Sequence, residues 1–399
     1  MLLPVRKNIL YDFDHVPNRR IPARSIKWIK YPEDVLPMWL ADMDFPAPKP
    51  ILDALHKAVN HGVLGYELPS HSLQETVAAR MERLYGWKVD SGAIVATTGI
   101  VSGFNVAARA FCTPRRGYLV QTPVYDQFHQ IKSNVGIRQY NAPLRKTARG
   151  IILDYMIGWD VYEKQVKKAG IFLLCNPHNP VGKVFARREL VRMAELCMEN
   201  DVVMVSDEIH SELLLGSQRF TPLGKLSREI ARSSVTLVSA SKTFNVPGLF
   251  CGFAVIPDPE LRAKYMQVVE KLHMLVNSMG LLAAQVAFSG QCDEWLVELR
   301  RYLTANRDFL VEYVREHLPG IRMTIPRATY LAWLDCSALV KSGRIKGSPF
   351  EFFLKEAKVA FSDGMVFGPD HENFVRLNFG CPRDTLEQGL ERVRKSLYC

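Results

Sequence analysis

Ser239-Ala-Ser-Lys242-Thr-Phe-Asn245 is the stretch from which the rest of this chain can be read. Its lysine stands between small hydroxyl residues, directly after the apolar run Val235-Thr-Leu-Val238. Such a run forms a buried strand, and an ammonium delivered by its end is costly to bury unless a partner or a reaction uses it. One chemistry that uses it is Schiff-base formation with an aldehyde cofactor. A surface lysine snorkelling at a strand end is the competing reading.

Two upstream stretches discriminate between these readings. Cys175-Asn-Pro-His-Asn179-Pro-Val-Gly182 follows the apolar run Ile171-Phe-Leu-Leu174. Its Asn-Pro steps disfavour helix, so amide side chains project from a strand end. Val202-Val-Met-Val-Ser206 then runs into Asp207-Glu-Ile-His210, a second apolar strand ending in a carboxylate. An amide, a carboxylate and a lysine at three successive strand ends suit pyridoxal phosphate. Lys242 would bind its aldehyde carbon, Asp207 would keep the pyridine nitrogen protonated, and Asn179 would bond the phenolic oxygen. Ligand groups outside the carboxyl ends of strands are the rule for open α/β sheets. Asp207 alone reads equally as a helix N-cap.

Further segments carry a family resemblance. They are Met38-Trp-Leu-Ala-Asp-Met-Asp-Phe45, His61-Gly-Val-Leu-Gly-Tyr66, Thr122-Pro-Val-Tyr-Asp-Gln-Phe128, Thr329-Tyr-Leu-Ala-Trp-Leu-Asp335 and Val375-Arg-Leu-Asn-Phe-Gly-Cys-Pro-Arg383. With the three stretches above, they run in order from about residue 10 to the C-terminus. The chain resembles fold-type I pyridoxal-phosphate enzymes of the class I/II aminotransferase superfamily, and within it the MalY/PatB-type C–S lyases. That resemblance implies an α/β fold: a large domain (49–288) with a mostly parallel seven-stranded sheet, and a smaller α+β domain (1–48 and 289–399). It also implies a homodimer with shared active sites.

The resemblance assigns roles residue by residue. Lys242 is the Schiff-base lysine and Asp207 the partner of the pyridine nitrogen. His210 lies beneath the ring on its phenolic side; a structural histidine is the alternative. Gly99, Ile100 and Val101 open a helix whose N-terminus would take the phosphate, with Ser239 and Ser241 on its other side. Tyr125 would stack on the ring and help orient or protonate groups, against the plainer reading of a core aromatic. Tyr66 would reach the phosphate of the neighbouring subunit, although Gly65-Tyr66 read alone is a turn. Arg376 would clamp the substrate α-carboxylate with Asn179 beside it; an exposed edge-strand arginine is the other reading.

The implied reaction is β-elimination on an L-cysteine S-conjugate such as cystathionine, giving a thiol, pyruvate and ammonia. Lys242 would serve as the base for the Cα proton. An aminotransferase and a protein with a mainly regulatory, protein-binding role are the rivals. Phe250 favours the lyase. It stands eight residues after the lysine, where many class I aminotransferases carry a phosphate-binding arginine. Phe367-Gly-Pro-Asp-His-Glu-Asn373 is more acidic and less glycine-rich than the usual loop before the carboxylate-binding arginine.

Composition agrees with a soluble enzyme. The 399 residues are 48% hydrophobic and 23% charged, ordinary for a globular chain and enough for a large core. The net charge of +10 is scattered, without the basic stripe of a nucleic-acid binder. Eight cysteines show neither a C-x-x-C pair nor metal-ligand spacing, so reduced thiols and no metal are expected. No signal peptide is read, no segment spans a bilayer, and the expected compartment is the cytoplasm.

Periodicity fills in the elements. Apolar positions 51, 55 and 59 predict one helix. Leu73, Val77, Met81 and Leu84 predict the next, with Ser72 and Glu75 as a capping box. Strands are predicted at 93–97, 117–121, 171–175, 202–207, 235–239 and 251–256, alternating with helices. Met274 to Phe288 reads as a buried helix. Beyond residue 290 the pattern is long helix, strand, helix, strand, helix, with the domain boundary expected inside a helix.

Overall fold

A computed structural model describes residues 11–20 and 25–399, so parts of the N-terminal arm lie outside the described residues. The central sheet contains seven strands: β1 (Ile94–Thr97), β2 (Gly117–Val120), β3 (Gln139–Asn141), β4 (Ala169–Cys175), β5 (Val203–Asp207), β6 (Ser234–Val238) and β7 (Gly252–Val255). Their spatial order is β1-β7-β6-β5-β4-β2-β3. Every neighbouring pair is parallel except those of β7, which runs antiparallel to β1 and β6. β4 is buried throughout and serves both faces. Phe172 and Leu174 pack toward one helical layer, while Ile171, Leu173 and Cys175 pack toward the other, as a doubly covered parallel sheet requires. The six strands expected from apolar runs are all present. β3 was not expected, because its half-buried Gln139-Tyr-Asn141 lacks an apolar run. Gly117 allows the close approach of β2 to β3: a Cβ there would lie 1.9 Å from the Arg138 carbonyl oxygen.

A second sheet of six strands has the order 362–363, 374–378, 331–335, 322–324, 152–156, 145–149. Residues 145–156 thus leave the first half of the chain to pair with C-terminal strands, 152–156 lying parallel to 322–324. The strand Phe374–Asn378 is interior to this sheet and buried along its length, which removes the edge-strand reading of Arg376. Leu36–Pro37 pairs with Val359–Ala360. Lys27 pins the N-terminal segment, its buried ammonium 3.1 Å from the buried carboxylate of Asp44.

Two local expectations are corrected. The helix His71–Tyr85 is capped by Ser70, whose side chain accepts from Leu73 N–H at 3.1 Å; Ser72 and Glu75 lie inside the helix and form no capping box. A hydroxyl at 70 wins because it precedes the first helical residue and faces the free first-turn N–H groups. The helix expected over 274–288 is only Ser278–Phe288, started by Asn277, which accepts from Gly280 N–H at 2.7 Å. Residues 289–292 separate that helix from the next, Asp293–His317.

Candidate active site

The parallel run β6-β5-β4 sets the site. Cys175 pairs with Asp207, and Asp207 pairs with Leu237. The carboxyl ends of three adjacent strands therefore lie level, and the chain leaving each one contributes a polar side chain. A cavity of about 380 Å³ opens there, with Asn179, Asp207 and Lys242 all on its wall. Lys242 rides a single helical turn, Ala240–Thr243, directly after β6. Ser239 starts that turn by accepting from Ser241 N–H at 3.1 Å and donating to the Cys251 carbonyl at 2.6 Å.

Burial dominates the electrostatics of this group. It lowers the Lys242 amine to about 8, with Asp42 and Asp207 opposing the shift and Arg376 adding to it. It raises the Asp207 carboxyl to about 7, against the stabilising Ile209 N–H and the Lys242 charge. Asp207 Oδ1 accepts from that N–H at 3.1 Å, a local turn contact with no regular helix following, so the N-cap reading fails. His210 is held neutral, near 3, by burial and then by the charges of Lys242 and Arg376. Its ring lies edge-on to Tyr330 at 6.0 Å, and its buried Nδ1 has no partner among the described residues.

The opposite wall begins at β1. Gly99 adopts φ +104° as it turns the chain into the helix Ile100–Phe111, a conformation open to glycine at little cost. No side chain among the described residues caps that helix, and its first turn lines the cavity with Thr98, Gly99 and Ser241. Tyr125, on the wall just before the helix Asp126–Val135, has its phenol pKa pushed upward by burial and then by Asp126 and Asp207.

Arg376 stands one contact further out. Nη1 donates to Asn179 Oδ1 at 3.0 Å, and Nη2 donates to the Trp39 carbonyl at 2.9 Å and to Ser362 Oγ at 3.0 Å. Its guanidinium lies 4.8 Å from the centre of the Phe367 ring. Burial lowers it to about 10 against the pull of Asp126, and its buried Nε has no partner among the described residues. No carboxylate is within ion-pair distance of it among the described residues, which leaves a bidentate donor for an incoming one.

Two expected site residues are placed differently. Ser239 lies behind Ser241, its hydroxyl engaged with Cys251. Tyr66 is fully exposed at 101% and away from this chain's own cavity. Sequence reasoning also missed contributors. The Ala41 carbonyl accepts from Lys242 Nζ at 2.5 Å and from Tyr330 Oη at 2.9 Å. By contrast, Phe250, already singled out from the sequence, is exposed at 65% with φ +45° and lies on the wall beside Cys251. A backbone carbonyl leaves no signal in a sequence; Tyr330 lay within a quoted motif but carried no titratable pattern.

Residues 41–393 match the model of the family described as aminotransferase class I and II. The chain belongs to that family. Within it, the chain is 37% identical to cystathionine β-lyase PatB of Bacillus subtilis (strain 168), over 95% of this chain and 98% of that protein. This match bears out the expected resemblance to the MalY/PatB-type branch. Among solved structures, OvoB superposes with a TM-score of 0.89 at 37% identity, over 97% of this chain and 99% of that one. The pyridoxal-phosphate-bound C–S lyase from Staphylococcus hominis also superposes with a TM-score of 0.89, at 29% identity over 98% of both chains. The family fold accounts for the mostly parallel sheet and for the strand ends that meet at the cavity.

The residues present fit the cofactor that the S. hominis structure holds. A buried carboxylate with a raised pKa has no ion pair among the described residues, and a protonated ring nitrogen would supply one. A buried imidazole nitrogen has no partner among the described residues, a lysine amine is partly neutral near pH 8, and a helix start with no side-chain cap lines the same cavity.

Proposed function

We propose that this chain is a pyridoxal-phosphate-dependent C–S lyase that acts by β-elimination on L-cysteine S-conjugates of the cystathionine type, releasing a thiol, pyruvate and ammonia. The observation that carries this reading is the convergence of Asn179, Asp207 and Lys242 on one cavity with Arg376 behind it. When bound, pyridoxal phosphate supplies an aldehyde for the substrate amine and an electron sink for the Cα carbanion.

The chain's own residues do the rest. Asp207 holds a proton on the ring nitrogen. Asn179 and His210 would hold the phenolic oxygen, and Ser241 with the Gly99-Ile100-Val101 N–H groups would hold the phosphate without an arginine. Arg376 takes the α-carboxylate through its fork and orients the substrate. Lys242 Nζ takes the Cα proton, which its lowered pKa suits at neutral to mildly basic pH. The thiolate then leaves Cβ, and hydrolysis of the remaining three-carbon fragment gives pyruvate and ammonia. Tyr125 packs against the ring. An aminotransferase would share the first proton transfer and differ only in where the proton returns. Phe250 in place of a phosphate-binding arginine favours the lyase.

The working unit in this reading is a homodimer in the cytoplasm. Val63, Leu64, Tyr66, Leu68, Leu272 and Leu275 are all exposed, and Leu68 and Leu275 line an apolar groove of about 850 Å³. A second copy would cover that surface and receive Tyr66 at its phosphate site. Residues 49–288 form the cofactor-binding unit, with 1–48 and 289–399 as the smaller one. No helix among the described residues is long and apolar enough to cross a membrane.

The deciding experiment incubates purified protein with pyridoxal phosphate and L-cystathionine and follows pyruvate. Pyruvate from wild type, lost in Lys242→Ala, supports the lyase. A loaded enzyme that yields none, yet converts an amino acid and keto acid pair, would replace it with the aminotransferase.

A further inference from the structure

His178 belongs to no step above, yet it is among the most enclosed polar residues of the chain at 1% exposed. Its backbone is fixed on the turn that carries Asn179: the His178 N–H donates to the Lys183 carbonyl at 2.7 Å, and its carbonyl accepts from Gly182 N–H at 2.8 Å. From there the ring reaches across to another loop. Nε2 lies 2.7 Å from the Pro123 carbonyl oxygen and Nδ1 lies 3.1 Å from that of Cys175, while Phe185 packs edge-on at 5.7 Å. Pro123 stands two residues before Tyr125. The ring therefore joins the loop of the stacking tyrosine to the loop of the amide that holds Arg376.

Burial keeps this imidazole neutral, with its pKa near 4 despite the facing carbonyls of Pro123, Cys175 and, more weakly, Gln121. A neutral ring has one N–H to give. The shorter contact identifies its recipient, so Nε2–H donates to Pro123 and Nδ1 faces Cys175 with a lone pair; the tautomer is assigned from these distances.

We propose that His178 is a positioning residue. Through its Nε2–H bond to Pro123 it sets the spacing between Tyr125 and the Asn179–Arg376 pair, and so the width of the slot that receives the cofactor ring. The inference rests on the cofactor reading above. It predicts that an apolar side chain of similar size, which fills the space but cannot donate, widens the slot without unfolding the chain.

The test measures pyridoxal phosphate affinity and the visible circular dichroism of the bound cofactor in wild type, His178→Leu, His178→Gln and His178→Asn, with melting temperatures recorded alongside. Gln places an amide N–H near the Nε2 position and Asn near the Nδ1 position. The expected result is an affinity about tenfold weaker and an altered dichroism band in the Leu variant, the loss of about one net hydrogen bond, with Gln restoring both and Asn neither. Wild-type affinity and dichroism in the Leu variant would overturn the proposal, as would rescue by Asn and not Gln. If the Leu variant does not fold, the Gln and Asn variants decide alone by the same contrast. A wild-type chain that binds no pyridoxal phosphate would overturn the cofactor reading and this inference together, a result visible before any substitution is made.

Discussion

Lys242 and Arg376 are tethered to carbonyls two residues apart on one segment: Nζ donates to Ala41 at 2.5 Å and Nη2 to Trp39 at 2.9 Å. The neighbouring carbonyls of Leu40 and Asp42 accept from Asn378 Nδ2 at 2.5 and 2.6 Å. Residues 39–42 thus form a row of acceptors beneath the site. Carbonyl dipoles offset part of the cost of burying two cations, alongside the Asp42 and Asp207 charges that support the Lys242 ammonium. The two groups that would handle the Cα proton and the α-carboxylate are thereby held in one frame.

Replacing Lys242 with alanine removes both the covalent attachment point and the base. Pyruvate release is expected to fall by about a thousandfold or more, within the range general bases contribute. The visible absorbance of the lysine-linked cofactor should disappear as well. Retained pyruvate release at near wild-type rates would rule out Lys242 as the base.

The Lys242 amine, lowered to about 8, gains its neutral and nucleophilic form as pH rises. Cofactor attachment to the empty protein, followed by absorbance, is expected to accelerate through about pH 8 and then level off. Asp42 is the largest charge supporting the ammonium, so Asp42→Asn should move that midpoint to lower pH. An upward or absent displacement would contradict the arrangement.

Asp207 is raised to about 7 in the empty site, so the folded chain holds a proton there that the unfolded chain has released above about pH 4. Its contribution therefore favours folding at low pH and is lost as pH rises through about 7. Asp207→Asn removes this loss. The variant without cofactor should gain stability relative to wild type between pH 4 and 8, by at most about 4 kcal/mol. With pyridoxal phosphate bound, the order is expected to reverse. Thermal melts at pH 5 and 8, with and without cofactor, measure both.

Arg376→Lys keeps the charge but loses the fork that engages Asn179, Trp39 and Ser362. kcat/KM for an S-conjugate is expected to fall about a hundredfold, the value of two charge-assisted hydrogen bonds reduced to one. An unchanged KM would remove the carboxylate-clamp role.

Away from the cavity, Arg80 has a fully buried guanidinium paired with Glu212 and, at 3.1 Å, with Asp293. Arg80→Met leaves Glu212 buried without a partner and should cost about 3–5 kcal/mol in denaturant unfolding. Adding Glu212→Leu should recover much of that loss. If the single substitution is as mild as the double one, the pair contributes little.

Much of the site was readable in advance because its signals are local. An apolar run followed by one polar residue of the right type marks a buried strand and what its end delivers, so Asn179, Asp207 and Lys242 could be placed on successive strand ends before their pairing was known. Arg376 was readable as a site residue from its motif, but its setting was not. Whether Phe374–Asn378 was an edge or an interior strand depended on partners at 331–335 and 362–363. The strands over 145–156 were missed for the same reason, since they pair with residues far along the chain and 145–149 is wholly exposed.

The sequence by itself determined the family, the parallel sheet and the candidate side chains at the strand ends, because period and strand-end chemistry are properties of short stretches. Tertiary structure alone decided which backbone carbonyls hold the two cations, that Ser239 serves Ser241, that Tyr66 lies outside its own chain's cavity, and that His178 spans two loops. Those relations join residues up to hundreds of positions apart. Their energies come from burial and hydrogen-bond geometry, which exist only once the layers have packed.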